Sequence, residues 1–182
     1  MIASHNSWTF AKPQWWVRPF AFMSRCQNLT IQQQHVHGIR FFDLRVRWIK
    51  NKGMCAVHGF SVYRVNLDAD LAFLYHLGGC TVRVLLDLRT VKKSDYEYQK
   101  ERFKAWIEAR KMSFGTIKFM TCRTMPEWEK LSDVEDDNCV EKHASKSKNR
   151  LWALCPWLYA KKYNKNVERD TEDIILIDFV NI

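Results

Sequence analysis

Apolar and polar positions alternate most clearly from Ile39 to Trp48, where Phe42, Leu44 and Val46 fall on one side of an extended chain and Asp43, Arg45 and Arg47 on the other. A two-residue period predicts a strand with one apolar and one polar face. Just upstream, Thr30-Ile-Gln-Gln has the form of a capping box and Gly38 supplies a stop, so Ile31 to His37 reads as a short helix feeding the strand. Cys55 to His58 reads as a further short strand ending at Gly59. Asn66 caps a helix with Leu67, Leu71 and Leu74 on one face and a stop at Gly78-Gly79, and Thr81 to Leu88 follows as a buried strand. Ser94-Asp-Tyr-Glu97 has the pattern of a second capping box, ahead of a helix carrying Phe103, Trp106, Ile107 and Arg110. Gly115 then precedes a strand from Thr116 to Cys122. From Arg123 to Arg150 the periodicity fades into acidic and then basic residues, which read as loop. Leu151 to Tyr163 reads as a helix interrupted near Pro156, and Ile174 to Val180 as a fully buried strand.

Strands alternating with helices imply a parallel sheet covered by helices. Because both ends of the chain read as strand, closure of that sheet is favoured, and the expected fold is α/β, a trimmed or irregular (β/α)8 TIM-type barrel. About six strands can be counted where the full barrel has eight and typically about 250 residues. The shortfall falls between Arg123 and Arg150, and residues 1–182 are expected to form a single domain.

Composition narrows the choice of partners. At 47% hydrophobic over 182 residues the chain can bury a core without staples, and six cysteines with no CxxC pair are expected as free thiols. No apolar run approaches the roughly 20 residues of a membrane span. The first ten residues lack the basic flank and apolar stretch of a secretory signal, so a cytoplasmic location is the expectation. Lys and Arg outnumber Asp and Glu by 29 to 20, a net charge of +9 that favours anionic partners.

The polar residues that stand out lie where strands end: His5-Asn6, Asp43 and Arg45, His58-Gly59, and Arg89. In a barrel such ends ring one mouth. Two histidines, an arginine and a carboxylate around one pocket can cleave a phosphodiester that has a neighbouring hydroxyl. One imidazole takes the hydroxyl proton, the other protonates the departing oxygen, and the guanidinium grips the phosphate.

Ile2-Ala-Ser-His5-Asn-Ser, Gln33 to Gly38 followed by Ile39-Arg-Phe-Phe-Asp43-Leu-Arg45-Val, and Val57-His58-Gly59 resemble the X-region signature of the phosphatidylinositol-specific phospholipase C family, a (β/α) barrel. Ile177-Asp178-Phe-Val resembles its closing strand. The likeness is dense over residues 1–90, returns over 172–181 and is thin between. It implies that His5 is the general base, His58 the general acid, Asp178 the partner that orients His5, Arg45 the phosphate ligand and Asp43 its support, with Asn6 and Arg89 contacting substrate. Arg45 stands where calcium-dependent members carry an acidic ligand, so the resemblance is to the bacterial type, with no metal and no cofactor. Asn6 departs from the aspartate usual in that type.

The substrate implied is an inositol phospholipid or related diester, cleaved by a monomer with peripheral contact to an anionic membrane surface and no nucleic-acid partner. A glycerophosphodiester phosphodiesterase of the same barrel group is the nearest alternative, although it usually has Glu-x-Asp where Asp43-Leu-Arg45 stands. A non-catalytic barrel binding anionic lipid or nucleic acid is the alternative from another class. Trp8, Phe10, Trp15, Trp16, Phe20 and Phe22 are interleaved with Lys12, Arg18 and Arg25. Most of these aromatics are expected to pack beneath the first loop, with a membrane-facing rim as the other reading. His35, His37, His76 and His143 are expected at the surface or at helix ends, with no role.

Overall fold

The computed structural model describes residues 1–111, 117–124, 127–130, 139–167 and 173–182. Six parallel strands form its centre: β1 (Ile2–Ser4), β2 (Phe41–Ile49), β5 (Thr81–Asp87), β6 (Ile117–Thr124), β8 (Cys139–Glu141) and β9 (Ile174–Ile177). Their order is β6-β5-β2-β1-β9-β8, so the first and last strands of the chain lie side by side. β7 (Glu127–Lys130) pairs antiparallel with β6, and the two ends of the sheet, β7 and β8, do not pair among the described residues. The protein is therefore a trimmed (β/α) barrel with an unclosed sheet.

Helices α2 (Ile31–Val36), α3 (Leu67–Leu77) and α4 (Tyr96–Lys111) follow β1, the β2 region and β5. Thr30 and Gln33 close the capping box at the start of α2, with Gln33 N–H donating to Thr30 Oγ1 at 3.2 Å and Thr30 N–H to Gln33 Oε1 at 3.0 Å. Asn66 accepts from Ala69 N–H at 3.2 Å to start α3. The main core lies between sheet and helices, where Phe42, Leu44, Val46, Val84 and Leu86 meet Leu71, Leu74, Phe103 and Ile107. Inside the barrel a small apolar floor of Ala3, Phe41 and Leu176 lies beneath the polar mouth. Among the described residues no helix is long and apolar enough to cross a membrane.

Four expectations are corrected. The piece ending at His58 is β3 (Gly53–His58), which folds back antiparallel on the far end of β2, with Val46 opposite Ala56, and pairs with β4 (Ser61–Tyr63). It forms a hairpin off the main path of the sheet, which a short apolar run cannot reveal. Ser94 does not form a capping box: its hydroxyl donates to Asp95 within a 3-10 turn, and α4 begins at Tyr96. The stretch read as loop from Arg123 holds β7 and β8, strands too short and too polar for periodicity to show, while residues 125–126 and 131–138 lie outside the described set. The last strand stops at Ile177. The helix expected around Pro156 is found as a 3-10 turn, Arg150–Leu154, and α5 (Pro156–Tyr163) with the proline at its first position, where the missing N–H costs nothing.

Candidate active site

Chain reversals just past β1 and β9 deliver the two ends of the site. Asn6 (φ 48°) and Phe179 (φ 49°) adopt left-handed backbone that side-chain-bearing residues rarely take up. Buried amides hold these bends. Gln27 Nε2 donates to the carbonyls of His5 and Ile177 at 3.1 and 3.0 Å, and its Oε1 accepts from Val180 N–H at 3.1 Å. Asn164 Nδ2 donates to the Asp178 carbonyl at 2.7 Å. Each bond satisfies a backbone group that the bend would otherwise leave bare.

His5 Nδ1 lies 2.7 Å from Asp178 Oδ1, and both residues are buried. Arg45 Nη2 reaches His5 Nε2 at 2.8 Å and Asn6 Nδ2 reaches the same nitrogen at 3.1 Å. Since guanidinium and amide N–H groups only donate, Nε2 carries the lone pair and the Nδ1 proton goes to the carboxylate. Burial, followed by repulsion from His143, Arg45, His58 and Arg89, holds the His5 pKa well below its ordinary value, so the ring is a neutral base. Burial pushes Asp178 upward, offset in part by His143, the Ala144 N–H, Cys26 and Arg45.

His58 stands edge-on to His5, with ring centroids 6.2 Å apart and planes at 83°. Its Nδ1 meets the Ser24 carbonyl at 2.8 Å, which fixes that nitrogen as donor and leaves Nε2 as the site of a second proton. Burial and the charges of Arg89 and Arg45 hold its pKa down to about 3.

Asp43, on β2, is a hub. Its Oδ1 accepts from Arg83 Nε at 3.0 Å, and its Oδ2 accepts from Arg45 Nη2 at 3.3 Å and from Asn6 N–H at 3.2 Å. It ties β1, β2 and β5 together and aims Arg45, so the ion pair and the positioning of Arg45 are one arrangement. Arg89 pairs with Asp87, whose carboxylate also takes the Gly59 N–H at 3.3 Å. Burial would raise Asp87, but the Arg89 hydrogen bond and charge hold it well below the carboxylate range.

All seven residues singled out from the sequence therefore meet at one mouth: His5, Asn6, Asp43, Arg45, His58, Arg89 and Asp178. Asn6 serves His5 and the Cys26 thiol, 3.8 Å away, and not His58. Motif reasoning missed Arg83, Asp87, Cys26, Gln27 and His143. Asp87 carried a signal, as a carboxylate at the end of a buried strand, whereas the others are recognisable only once the chain is folded. His143 is a correction: it is fully buried and stacks on His5.

One group of metal-binding types occurs among the described residues, His5, Cys26 and Asp178, with ligand atoms within 4.8 Å of one another. The His5–Asp178 spacing of 2.7 Å is a hydrogen-bond length, shorter than the roughly 3.3 Å between two ligands around a tetrahedral ion. For calcium, which collects six to eight oxygens, the mouth offers carboxylates already held by Arg45, Arg83 and Arg89.

Beside His58 opens an apolar cavity of about 510 Å³ walled by Trp16, Val17, Phe20, Met23, Phe60 and Ala153. Its walls are open to solvent, with Trp16 54%, Phe20 61% and Phe60 73% exposed, and the neighbouring Trp15 is 74% exposed. Trp8, by contrast, is buried with its Nε1 on Asp70. The expectation that most of the early aromatics pack inward is overturned for Trp15, Trp16, Phe20 and Phe22, which lie on a 3-10 turn and a one-turn helix, α1 (Ala21–Ser24), too short to bury a whole face.

No protein-family model matches the chain, and no curated protein matches it in sequence. Solved structures do. The phosphatidylinositol-specific phospholipase C from Listeria monocytogenes superposes with a TM-score of 0.64 at 12% identity, covering 98% of this chain and 87% of that one. A pentafluoro-Phe variant of the Staphylococcus aureus enzyme gives 0.60 at 14% identity, covering 100% and 86%. A further S. aureus structure, concerned with membrane binding of that enzyme, gives 0.59 at 15%, covering 100% and 86%. At these identities the likeness establishes the shared fold.

Proposed function

We propose that residues 1–182 form a single-domain phospholipase-C-like phosphodiesterase that cleaves phosphatidylinositol or a related diester by attack of a neighbouring hydroxyl, giving a cyclic phosphate. The observation that carries this reading is the pair of imidazoles set edge-on across 6.2 Å, one backed by Asp178 and both flanked by arginines.

In this reading a bound phosphate draws Arg45 away from His5 Nε2, because an anion is a stronger acceptor than a neutral ring nitrogen. The freed Nε2 accepts the proton of the attacking hydroxyl. Asp178 holds the ring and stabilises the cation that forms. Charge gathers on the phosphate oxygens in the transition state and is met by Arg45 and Arg89. His58, anchored by Ser24 at Nδ1, takes up a second proton from solvent at Nε2, which the bound phosphate favours by offsetting Arg45 and Arg89, and delivers that proton to the departing oxygen. Asp43, locked by Arg45 and Arg83, sets the arginine's aim.

The cavity beside His58 lies on the leaving-group side and its walls are apolar, which supports a glyceride as the departing alcohol. Exposed Trp15, Trp16, Phe20 and Phe60 with Arg18 close by support docking on an anionic lipid surface. The structural neighbours named above are phosphatidylinositol-specific phospholipases C. The test is incubation with phosphatidylinositol, phosphatidylcholine, glycerophosphoinositol and RNA, with 31P NMR of the products. Inositol cyclic phosphate from the first supports the proposal, and its absence from every substrate refutes it.

A further inference from the structure

The short segment between β8 and the 3-10 turn at Ala144–Lys146 brings a ring against the site that the proton relay does not use. Lys142 N–H donates to the Leu176 carbonyl at 3.0 Å, carrying the β8–β9 pairing one residue past Glu141 and fixing the chain at His143. Ala144 N–H then donates to Asp178 Oδ2 at 3.1 Å. Between them the His143 ring lies flat on His5, with centroids 3.6 Å apart and planes within 7°. One three-residue turn thus grips both halves of the Asp178–His5 pair.

A single hydrogen bond at Nδ1 gives His5 a direction and leaves the ring free to twist about it. A flat neighbour removes that twist. Because Nε2 lies on the ring's edge, a stack on its face leaves the reacting nitrogen open. We infer that His143 is a positioning residue for His5, holding the imidazole plane so that Nε2 faces the attacking hydroxyl and shielding one ring face from water. The inference rests on the reading of His5 as the base.

The stack also acts on charge. Two imidazolium rings in face contact at 3.6 Å repel. Besides His143, His5 faces Asp178 beyond β9, Arg45 on β2, His58 at the end of β3, Arg89 beyond β5, and the uncharged Asn6 and Cys26 side chains. Burial lowers the His5 pKa most, and His143 is the largest charge effect after it.

His143→Ala removes the flat contact, and kcat on phosphatidylinositol should fall about 10- to 100-fold, as expected when a reacting group is slightly misplaced, with KM little changed. His143→Phe keeps a flat ring without charge, and kcat should return to within about threefold of the parent. In the same variant the His5 pKa, followed by NMR in the free protein, should move up. A parental kcat in His143→Ala, or a Phe variant as poor as Ala, overturns the positioning role. An unmoved His5 titration overturns the electrostatic one. The titration needs no turnover, so it stands apart from the proposed activity: a protein silent on every diester but with a shifted His5 would sink the enzyme reading and keep the stack, and it still decides the matter if His143→Ala does not fold.

Discussion

In the proposed reaction, His58 is the group on which the pH dependence turns. Its pKa is held to about 3 in the free protein, by burial first and then by Arg89 and Arg45. A general acid must carry its proton at the moment of transfer. At pH 6 about one molecule in 1,000 does so, and loading the proton costs about 4 kcal/mol. His5 is also depressed, so above pH 6 both rings are neutral and the reactive form is the rare one with His58 charged. Since kcat/KM reports the free enzyme, it should fall about tenfold per pH unit, or about 100-fold from pH 6 to pH 8. In the complex the phosphate offsets both guanidinium charges, so kcat should decline at a higher pH than kcat/KM. Arg89→Met removes the larger repulsion and releases Asp87, which favours a charged His58. The declining limb should therefore move to higher pH, even though a weaker phosphate grip lowers the whole curve. The assay is initial-rate kinetics on a soluble short-chain substrate, with NMR titration of His58 alongside. A flat kcat/KM from pH 6 to 8, or a His58 that titrates near 6.5, would refute the reasoning.

Asp178→Asn keeps shape but removes the charge 2.7 Å from His5, and kcat should drop by roughly 10³ to 10⁴ with little change in KM; an unchanged kcat would reduce Asp178 to a structural residue. Activity should survive excess EDTA, because the carboxylates at the mouth are already occupied by Arg45, Arg83 and Arg89; silencing by EDTA with recovery on added calcium would show the opposite. Trp15→Ala combined with Trp16→Ala should lower cleavage of anionic vesicles while sparing a soluble substrate, since both rings stand in solvent. Equal losses on the two would assign them to packing.

The sequence pattern was readable wherever geometry is local. The Phe42-Leu44-Val46 alternation became the outer face of β2 and placed Asp43 and Arg45 together inside the barrel. Thr30 and Gln33 capped a helix as expected. His5 and Asp178 were found through motif likeness, although they are 173 residues apart and meet only because β1 pairs with β9. What failed was of two kinds. A short apolar run such as Cys55–His58 looks the same in a hairpin as in a barrel strand, since only its partner decides. Gln27, Asn164 and His143 have no periodic signature, because they serve backbone groups and rings brought near by the fold. The early aromatics misled for a physical reason: 3-10 turns too short to cover a face leave large rings in water.

The division of labour between the two histidines is tested most directly by a change of leaving group. An inositol phosphate ester of a low-pKa phenol leaves without a proton, whereas a glyceride oxygen does not. On the glyceride substrate His5→Ala and His58→Ala should each lose about 10² to 10⁴ in kcat/KM. On the phenol ester His58→Ala should recover most of its loss, while His5→Ala stays as impaired as before because the hydroxyl still needs a base. Equal losses of the two variants on both substrates would contradict the account.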